Sequence, residues 1–267
     1  MIETRPAAVA GTFYPGDPAT LAVTVDRLLA AARHDASIRP KALIAPHAGY
    51  IYSGATAAEA YAPLAPWAGD IRRVILLGPT HRVAVQGIAL PETEAFSTPL
   101  GKIRLDLQAI ADIAELPQIV FSEQAHALEH SLEVHLPFLQ RVLPHFSLVP
   151  LAVGHAAPEA VGEVLDILWG GPETLIVVSS DLSHFLPYAT ARQVDGNTCK
   201  HILQLDTGIR PEQACGAYPV NGLLLAAARR GLKPTLLALC NSGDTAGDRN
   251  RVVGYAAFSF AEGDFHA

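Results

Sequence analysis

Short apolar runs recur along the chain and alternate with amphipathic stretches. The clearest are residues 41–46 (KALIAP), 73–79 (RVILLGP), 174–180 (TLIVVSS) and 234–240 (PTLLALC). Each of these four segments predicts a strand. The continuous apolar run at 73–78 is the pattern of a strand buried on both faces of a sheet.

The remaining pattern predicts the elements between those strands. Residues 1–17 indicate an irregular arm, and Asp17-Pro18 is typical of the start of a helix. Further strands are predicted at 87–91, 102–106, 118–122, 147–153 and 251–260, and further helices near 55–61, 107–116, 129–142, 158–169, 189–205 and 220–230. This alternation favours one α/β domain over residues 1–267, a three-layer α/β/α arrangement whose central sheet is largely parallel or mixed.

Polar residues capable of chemistry follow directly on the predicted strands. His47, His81, Asp181 and Asn241 each stand just after one of the four apolar runs. In open α/β sheets, ligands bind outside the carboxyl ends of the strands. We therefore expect these four residues to share one site at that edge of the sheet.

The segment Ser179-Ser180-Asp181-Leu182-Ser183-His184 adds an imidazole to this site. Asp181 and His184 are three residues apart, which places carboxylate and imidazole on one side of a turn. Asp181 could also cap a helix. His184 suits either metal ligation or general-base catalysis, because imidazole serves both.

Residues 129–135 (EHSLEVH) are dense in potential ligands. The order is not H-E-x-x-H, so the zinc-protease motif is absent. Glu129 and Glu133 are four apart and would share one face of a helix, which is also the pattern of a solvated helix start. On the functional interpretation, His130 or His135 lies at the pocket wall.

Composition and charge limit the classes of partner. The net charge is −7, and charged residues make up 17% of the chain. No basic run exceeds two residues and no run reaches the apolar length of a membrane span, so we expect no nucleic-acid or membrane partner. Three cysteines without a C-x-x-C pair fit free thiols in the cytoplasm. The low charged fraction is compatible with a homo-oligomer and equally with genomic composition bias.

Several motifs together resemble one known family. They are 45–50 (APHAGY), 78–81 (GPTH), 129–137 (EHSLEVHLP), 179–184 (SSDLSH) and 241–244 (NSGD), with 10–15 (AGTFYP) and 252–257 (VVGYAA) at the two ends. In order and content they resemble the Memo family, whose prokaryotic members are protein B of the AmmeMemoRadiSam system. The resemblance runs from about residue 5 to residue 260.

This resemblance implies a fold like that of the class III extradiol dioxygenases, which use non-haem iron. It implies His47 and His81 as metal ligands, with Asp244 or Asp181 completing a facial set of two His and one carboxylate. Iron(II) is the expected cofactor, with zinc, copper or manganese as substitutes. Eukaryotic Memo proteins carry a pocket cysteine in the last loop, and that position falls on Thr245 here.

The expected function is that of a metal-binding protein and iron-dependent oxidoreductase. Its small-molecule substrate is unknown, and other AmmeMemoRadiSam proteins are candidate partners. The expected catalytic residues are His184, Asp181, His130 and His135, and the expected pocket residues are Tyr14, Tyr50, Asn241 and Thr245. The alternatives are an adaptor protein with a vestigial pocket and a metal-dependent hydrolase.

Overall fold

The computed structural model describes residues 3–33 and 38–263. Its strands are β1 Thr4–Arg5, β2 Ala42–Ala45, β3 Arg73–Pro79, β4 Ile88–Leu90, β5 Ala95–Thr98, β6 Gly101–Arg104, β7 Ile119–Phe121, β8 Ser147–Val153, β9 Thr174–Ser179, β10 His184–Leu186, β11 Leu232–Asn241 and β12 Val252–Glu262. Its α-helices are α1 Pro18–Ala31, α2 Tyr50–Tyr61, α3 Leu107–Ile113, α4 Glu123–Ala127, α5 Leu136–Val142, α6 Pro158–Leu168, α7 Tyr188–Leu203 and α8 Ala217–Arg229. Short 3₁₀ turns cover Ala62–Trp67, Glu133–His135 and Ser242–Asp244.

A mixed sheet forms the middle of the molecule. Its strand order is β10-β12-β2-β9-β3-β8-β4-β7, and β11 pairs with β12. The central strands β2, β9, β3 and β8 are parallel, whereas β12 and β4 join them antiparallel. A smaller sheet of β1, β5 and β6 lies apart from it. The predicted α/β class and mixed sheet are therefore confirmed.

Helices cover the sheet in two groups. α1, α2 and α5 pack together, and α6 packs on α8 and α3. β2 and β9 are buried throughout and β3 is buried after Arg73, which explains their apolar runs. β11, which contains the run 234–240, is partly exposed. Within the described ranges, no helix combines the length and apolarity that crossing a bilayer requires.

The predicted helix at 129–142 is wrong in its first half. Residues 129–132 form a loop, and the α-helix begins only at Leu136, with Pro137 in its first turn. Glu133 is fully buried and accepts hydrogen bonds from Arg5 and the main-chain N–H groups of Ala8 and Val9. Its carboxylate therefore anchors the N-terminal arm, instead of facing solvent from a helix.

Candidate metal centre

Three parallel neighbours in the sheet bring the strand-end residues together. β2, β9 and β3 are adjacent, so His47, Asp181 and His81 follow them at one edge. The ring centroids of His47 and His81 are 5.1 Å apart. The expectation that these strand ends converge is met for these three residues.

A third imidazole joins them from the loop after α4. The His130 ring centroid lies 5.3 Å from that of His47 and 4.7 Å from that of His81. Donor nitrogens of all three rings lie within 4.8 Å of one another. Nitrogens bound to one ion at about 2 Å are roughly 3–4 Å apart, so small side-chain shifts would complete the geometry.

The His47 ring is held in one tautomer. Its Nδ1 lies 2.6 Å from the Ser179 hydroxyl, which itself donates to the carbonyl of Ser131 at 2.7 Å. Because the hydroxyl hydrogen is committed to that carbonyl, the Ser179 oxygen accepts from the Nδ1–H of His47. The lone pair of His47 is therefore on Nε2. Burial, together with the neighbouring His81 and His130, lowers the pKa of His47 well below its usual value, which keeps the ring neutral.

Glu129 fixes the second ligand in the same way. Its carboxylate accepts from the main-chain N–H of His81 at 2.6 Å and from the Nδ1 of His81 at 2.9 Å. Burial alone would raise the pKa of Glu129, but these hydrogen bonds outweigh it and lower the pKa to about 2. An ionised carboxylate on Nδ1 leaves the lone pair of His81 on Nε2, as in carboxylate–histidine–metal sites.

The loop that carries His130 is locked to the strand beneath it. A Cβ at Gly78 would lie 2.8 Å from the Ser131 hydroxyl, so only glycine lets the loop approach β3 this closely. Arg5 donates from Nη2 to the carbonyl of Glu129 at 2.7 Å. Burial lowers the pKa of His130 to about 4, so this imidazole is also neutral and able to donate a lone pair.

Asp181 stands next to the imidazole group. Its Oδ1 accepts from the main-chain N–H of His47 at 2.8 Å, and its Oδ2 lies 4.0 Å from the Nε2 of His47. Burial raises the pKa of Asp181 to about 7. The thiol of Cys215 lies 3.4 Å from the same Nε2. A carboxylate therefore lies beside His47, where it can ligate an ion or hold a proton.

A cavity of about 510 Å³ opens over this group. This is within the range of clefts that hold small organic ligands, roughly 300–1,000 Å³. His184 lies in its wall, half-buried, and burial lowers the pKa of this imidazole, so it is neutral at neutral pH. Aromatic rings from Phe13, Tyr52, Phe185 and Tyr255 also line it. The arrangement combines a cluster of imidazoles with room for a small molecule.

Asp244 and Asn241 lie elsewhere, which corrects the ligand set implied by the resemblance. The Asp244 carboxylate is exposed and accepts from the Tyr188 hydroxyl at 2.6 Å and from the N–H of Asn241 at 3.2 Å. Both residues line a separate cavity of about 270 Å³. The Asn241 side chain caps the turn by accepting from the N–H of Gly243. The structure places His130, and not Asp244, beside His47 and His81.

The expected pocket residues Tyr14 and Tyr50 and the expected catalytic residue His135 are not among the residues that line the cavity. The Tyr14 hydroxyl donates to Glu133 at 2.6 Å, the Tyr50 hydroxyl donates to the carbonyl of Val134 at 2.8 Å, and the Nδ1 of His135 meets the Tyr61 hydroxyl at 2.7 Å. All three side chains are buried. Thr245 donates to the carbonyl of Ser242, and Ser242 and Gly247 line the cavity from its loop. In the cavity wall stand instead Phe13 and Tyr52, the sequence neighbours of Tyr14 and Tyr50.

Sequence and structure comparisons with known proteins show which family this chain belongs to. The profile of the Memo family, described as Memo-like protein, matches residues 5–259. A MEMO1 family protein of Aquifex aeolicus is 37% identical over 272 residues, which cover 97% of this chain and 100% of that protein. A MEMO1 family protein of Sulfolobus acidocaldarius is 32% identical over 97% of this chain and 99% of its own length. The crystal structure of uncharacterized protein JW3007 from Escherichia coli K12 shares the fold, with a TM-score of 0.53 at 14% identity over 82% of this chain and 99% of that one. The chain therefore belongs to the Memo family.

Proposed function

We propose that His47, His81 and His130 bind one divalent metal ion and that this ion is the functional centre of the protein. The observation that carries the proposal is the grouping of three imidazoles whose nitrogens lie within 4.8 Å of one another. Ser179 orients the His47 ring and Glu129 orients the His81 ring through Nδ1, which leaves the Nε2 of each ring available for a metal ion. The donors therefore fit a metal ion.

We propose iron(II) as the bound ion. Imidazole binds iron, copper, zinc and nickel without sharp selection, so zinc, copper or manganese can substitute. The Asp181 carboxylate, which lies 4.0 Å from the Nε2 of His47, adds an oxygen donor of the kind that iron and manganese accept. The resemblance to the extradiol dioxygenases supports the same choice.

The reaction we propose is oxygen-dependent oxidation of a small molecule that chelates the metal. Bound iron(II) supplies open coordination positions for oxygen and for the chelating substrate. His184, neutral in the cavity wall, takes the proton that a substrate hydroxyl loses on binding. Asp181 holds or accepts a second proton beside His47. Phe13 and Tyr52 exclude water from the sides of the cavity.

A metal-dependent hydrolase is the second candidate, and one observation favours it. Three imidazole ligands are the donor set of some catalytic zinc sites, in which the metal activates a water molecule. Dependence of turnover on oxygen separates the two activities. An adaptor protein with a vestigial pocket, the third alternative, would purify without stoichiometric metal.

Metal content tests the proposal. Protein prepared without oxygen should take up about one iron(II) per chain by titration calorimetry and elemental analysis, and the double variant His47→Ala/His81→Ala should take up none. His145→Ala, which changes an exposed histidine far from the site, should bind as the unchanged protein does. Equal uptake by the unchanged protein and the double variant would overturn the assignment.

The role of His184 needs its own variant. We expect His184→Gln to leave metal uptake nearly intact, because His184 lies outside the group of three donors. Turnover should fall by about 10²–10⁴, the usual cost of losing a general base. Oxygen uptake with a panel of catechols is the measurement. Loss of the metal from this variant, with activity per bound iron retained, would make His184 a ligand instead.

We also propose that the protein is cytoplasmic and acts together with other proteins of the AmmeMemoRadiSam system. The free thiols of Cys199, Cys215 and Cys240 fit a reducing compartment. Co-purification with those proteins, and the mass of the purified protein by light scattering, test the partners and the expected homo-oligomer.

A further inference from the structure

The mouth of the metal cavity is built on a strained residue. Phe185 in β10 has a φ of 60°, a left-handed conformation that is unfavourable for a residue other than glycine. Its ring is 59% exposed and lines the cavity beside His184. Strain of this kind persists where the surroundings enforce it, and it is concentrated at functional sites.

Arg251 lies directly against this residue. The antiparallel pairing of β10 with β12 brings His184 opposite Val253 and so places Arg251 at the same corner. The Arg251 guanidinium lies 5.0 Å from the centre of the Phe185 ring, within the range of a cation–π interaction. The strained Phe185 thus provides a platform for a positive charge at the cavity mouth.

The charge of Arg251 is not neutralised by the protein. In the parts of the chain that the structure describes, Arg251 forms no ion pair and is the one guanidinium or ammonium group that lines this cavity. The chain as a whole carries a net charge of −7, so attraction for an anion must be local. Arg249, two residues earlier, lies over the Tyr188 ring and donates to the carbonyl of Gly243, outside the cavity lining.

The same cavity is therefore lined by two kinds of polar group and by aromatic rings. The three imidazole donors supply the first kind, the Arg251 guanidinium supplies the second, and Phe13 and Tyr52 are among the aromatic residues. We propose that the site takes a small planar acid, which chelates the metal with one end and places a carboxylate against Arg251 with the other. This inference rests on the proposed metal site and adds the charge and shape of the ligand to it.

The test compares two ligands that differ only in charge. Anaerobic iron(II)-loaded protein is titrated with 3,4-dihydroxybenzoate and with 3,4-dihydroxybenzamide, which share the ring and the chelating hydroxyls. A charge-assisted hydrogen bond to arginine contributes about 1.5–3 kcal/mol, so the acid should bind about 10–100-fold more tightly than the amide. Arg251→Met should reduce this ratio to near one, Arg251→Lys should keep part of it, and the matched control Arg249→Met should keep all of it.

The results separate this inference from the proposed function. Suppose that the unchanged protein and all variants bind iron equally. If Arg251→Met then keeps the full preference for the acid, or if the unchanged protein shows no preference for the acid, the anion subsite is wrong and the metal site stands. If the unchanged protein binds no iron, the proposed function fails and the ligand assignment fails with it. Circular dichroism of each variant checks that the fold is retained.

Discussion

Glu129 accepts two hydrogen bonds from His81, one from its main-chain N–H at 2.6 Å and one from its ring Nδ1 at 2.9 Å. The same carboxylate accepts from the N–H groups of His130 and Ser131. One buried side chain thus sets the tautomer of one proposed ligand and the backbone course of another. The geometry of the metal centre therefore depends on Glu129 as well as on the imidazoles.

Glu129→Gln should therefore weaken metal binding without removing a ligand. The amide keeps one oxygen acceptor but loses the charge that fixes the His81 ring. Loss of such a supporting carboxylate typically costs about 10–100-fold in metal affinity. Competition titration with a chromophoric chelator measures the change, with the exposed Glu115→Gln as control. An affinity equal to that of the unchanged protein would contradict the role given to Glu129.

Ser179→Ala tests the second tautomer. Without the hydroxyl, the Nδ1–H of His47 has lost its acceptor in a site where His47 is 2% exposed. The ring can then move its proton to Nε2, which blocks the metal-facing lone pair. We expect about a tenfold loss of metal affinity, whereas Ser97→Ala, on the small sheet, should change nothing. Unaltered affinity in Ser179→Ala would show that another contact orients the ring.

The ion pair of Arg5 and Glu133 should dominate the stability of the N-terminal arm. Their atoms are 2.7 Å apart, and the side chains are 1% and 0% exposed. Arg5→Met leaves a buried carboxylate without its charge partner, which typically costs about 3–5 kcal/mol of unfolding free energy. Urea unfolding measures this cost.

An exposed pair provides the comparison. Asp26→Asn breaks the surface ion pair with Arg141 and should cost less than about 1 kcal/mol. Equal losses in Arg5→Met and Asp26→Asn would mean that the arm is not held by the buried pair.

The metal-free protein should lose stability on mild acidification. Burial lowers the pKa of His126 and His130 to about 4 and that of His135 to about 3, from an ordinary value of 6.5. Below pH 6.5 these histidines are protonated in the unfolded chain but stay neutral in the folded protein. The unfolding free energy should therefore fall between pH 6.5 and about 4. Each such histidine contributes up to about 1.4 kcal/mol per pH unit.

His126→Gln isolates one of these groups away from the site. The His126 Nε2–H donates to the carbonyl of Ala89 at 2.8 Å, a bond that the Gln amide can replace. Chelator-treated protein is unfolded in urea at several pH values. The variant should show a shallower decline with acid, and exposed His145→Gln should follow the unchanged protein. Identical slopes in all three would contradict the account.

The convergence of His47, His81 and Asp181 could be predicted because it needs only local information. Each follows an apolar run, and neighbouring parallel strands end at one edge. The prediction that Asn241 joins the same site is wrong because the position of Asn241 depends on the order of the strands in the sheet. β11 lies on the far side of β12 from β2, about two strand spacings or 10 Å away, and that order is set by long-range pairing.

The error at residues 129–135 has a different physical origin. The four-residue spacing of Glu129 and Glu133 predicts that both lie on one solvent-exposed face of a helix. Instead, each carboxylate binds partners distant in the sequence: Glu133 pairs with Arg5, and Glu129 with His81. These partners turn the segment into a loop, which brings His130 to the cavity and leaves His135 buried against Tyr61. The spacing of residues within the segment does not predict contacts with partners so distant in the sequence.

An X-ray crystal structure of the iron-loaded protein, with anomalous scattering recorded at the iron edge, would locate the metal ion itself. We expect one strong anomalous peak about 2 Å from nitrogens of His47, His81 and His130, absent from crystals of His47→Ala/His81→Ala. A peak at another place, or none within bonding distance of these three imidazoles in protein that contains iron, would contradict it.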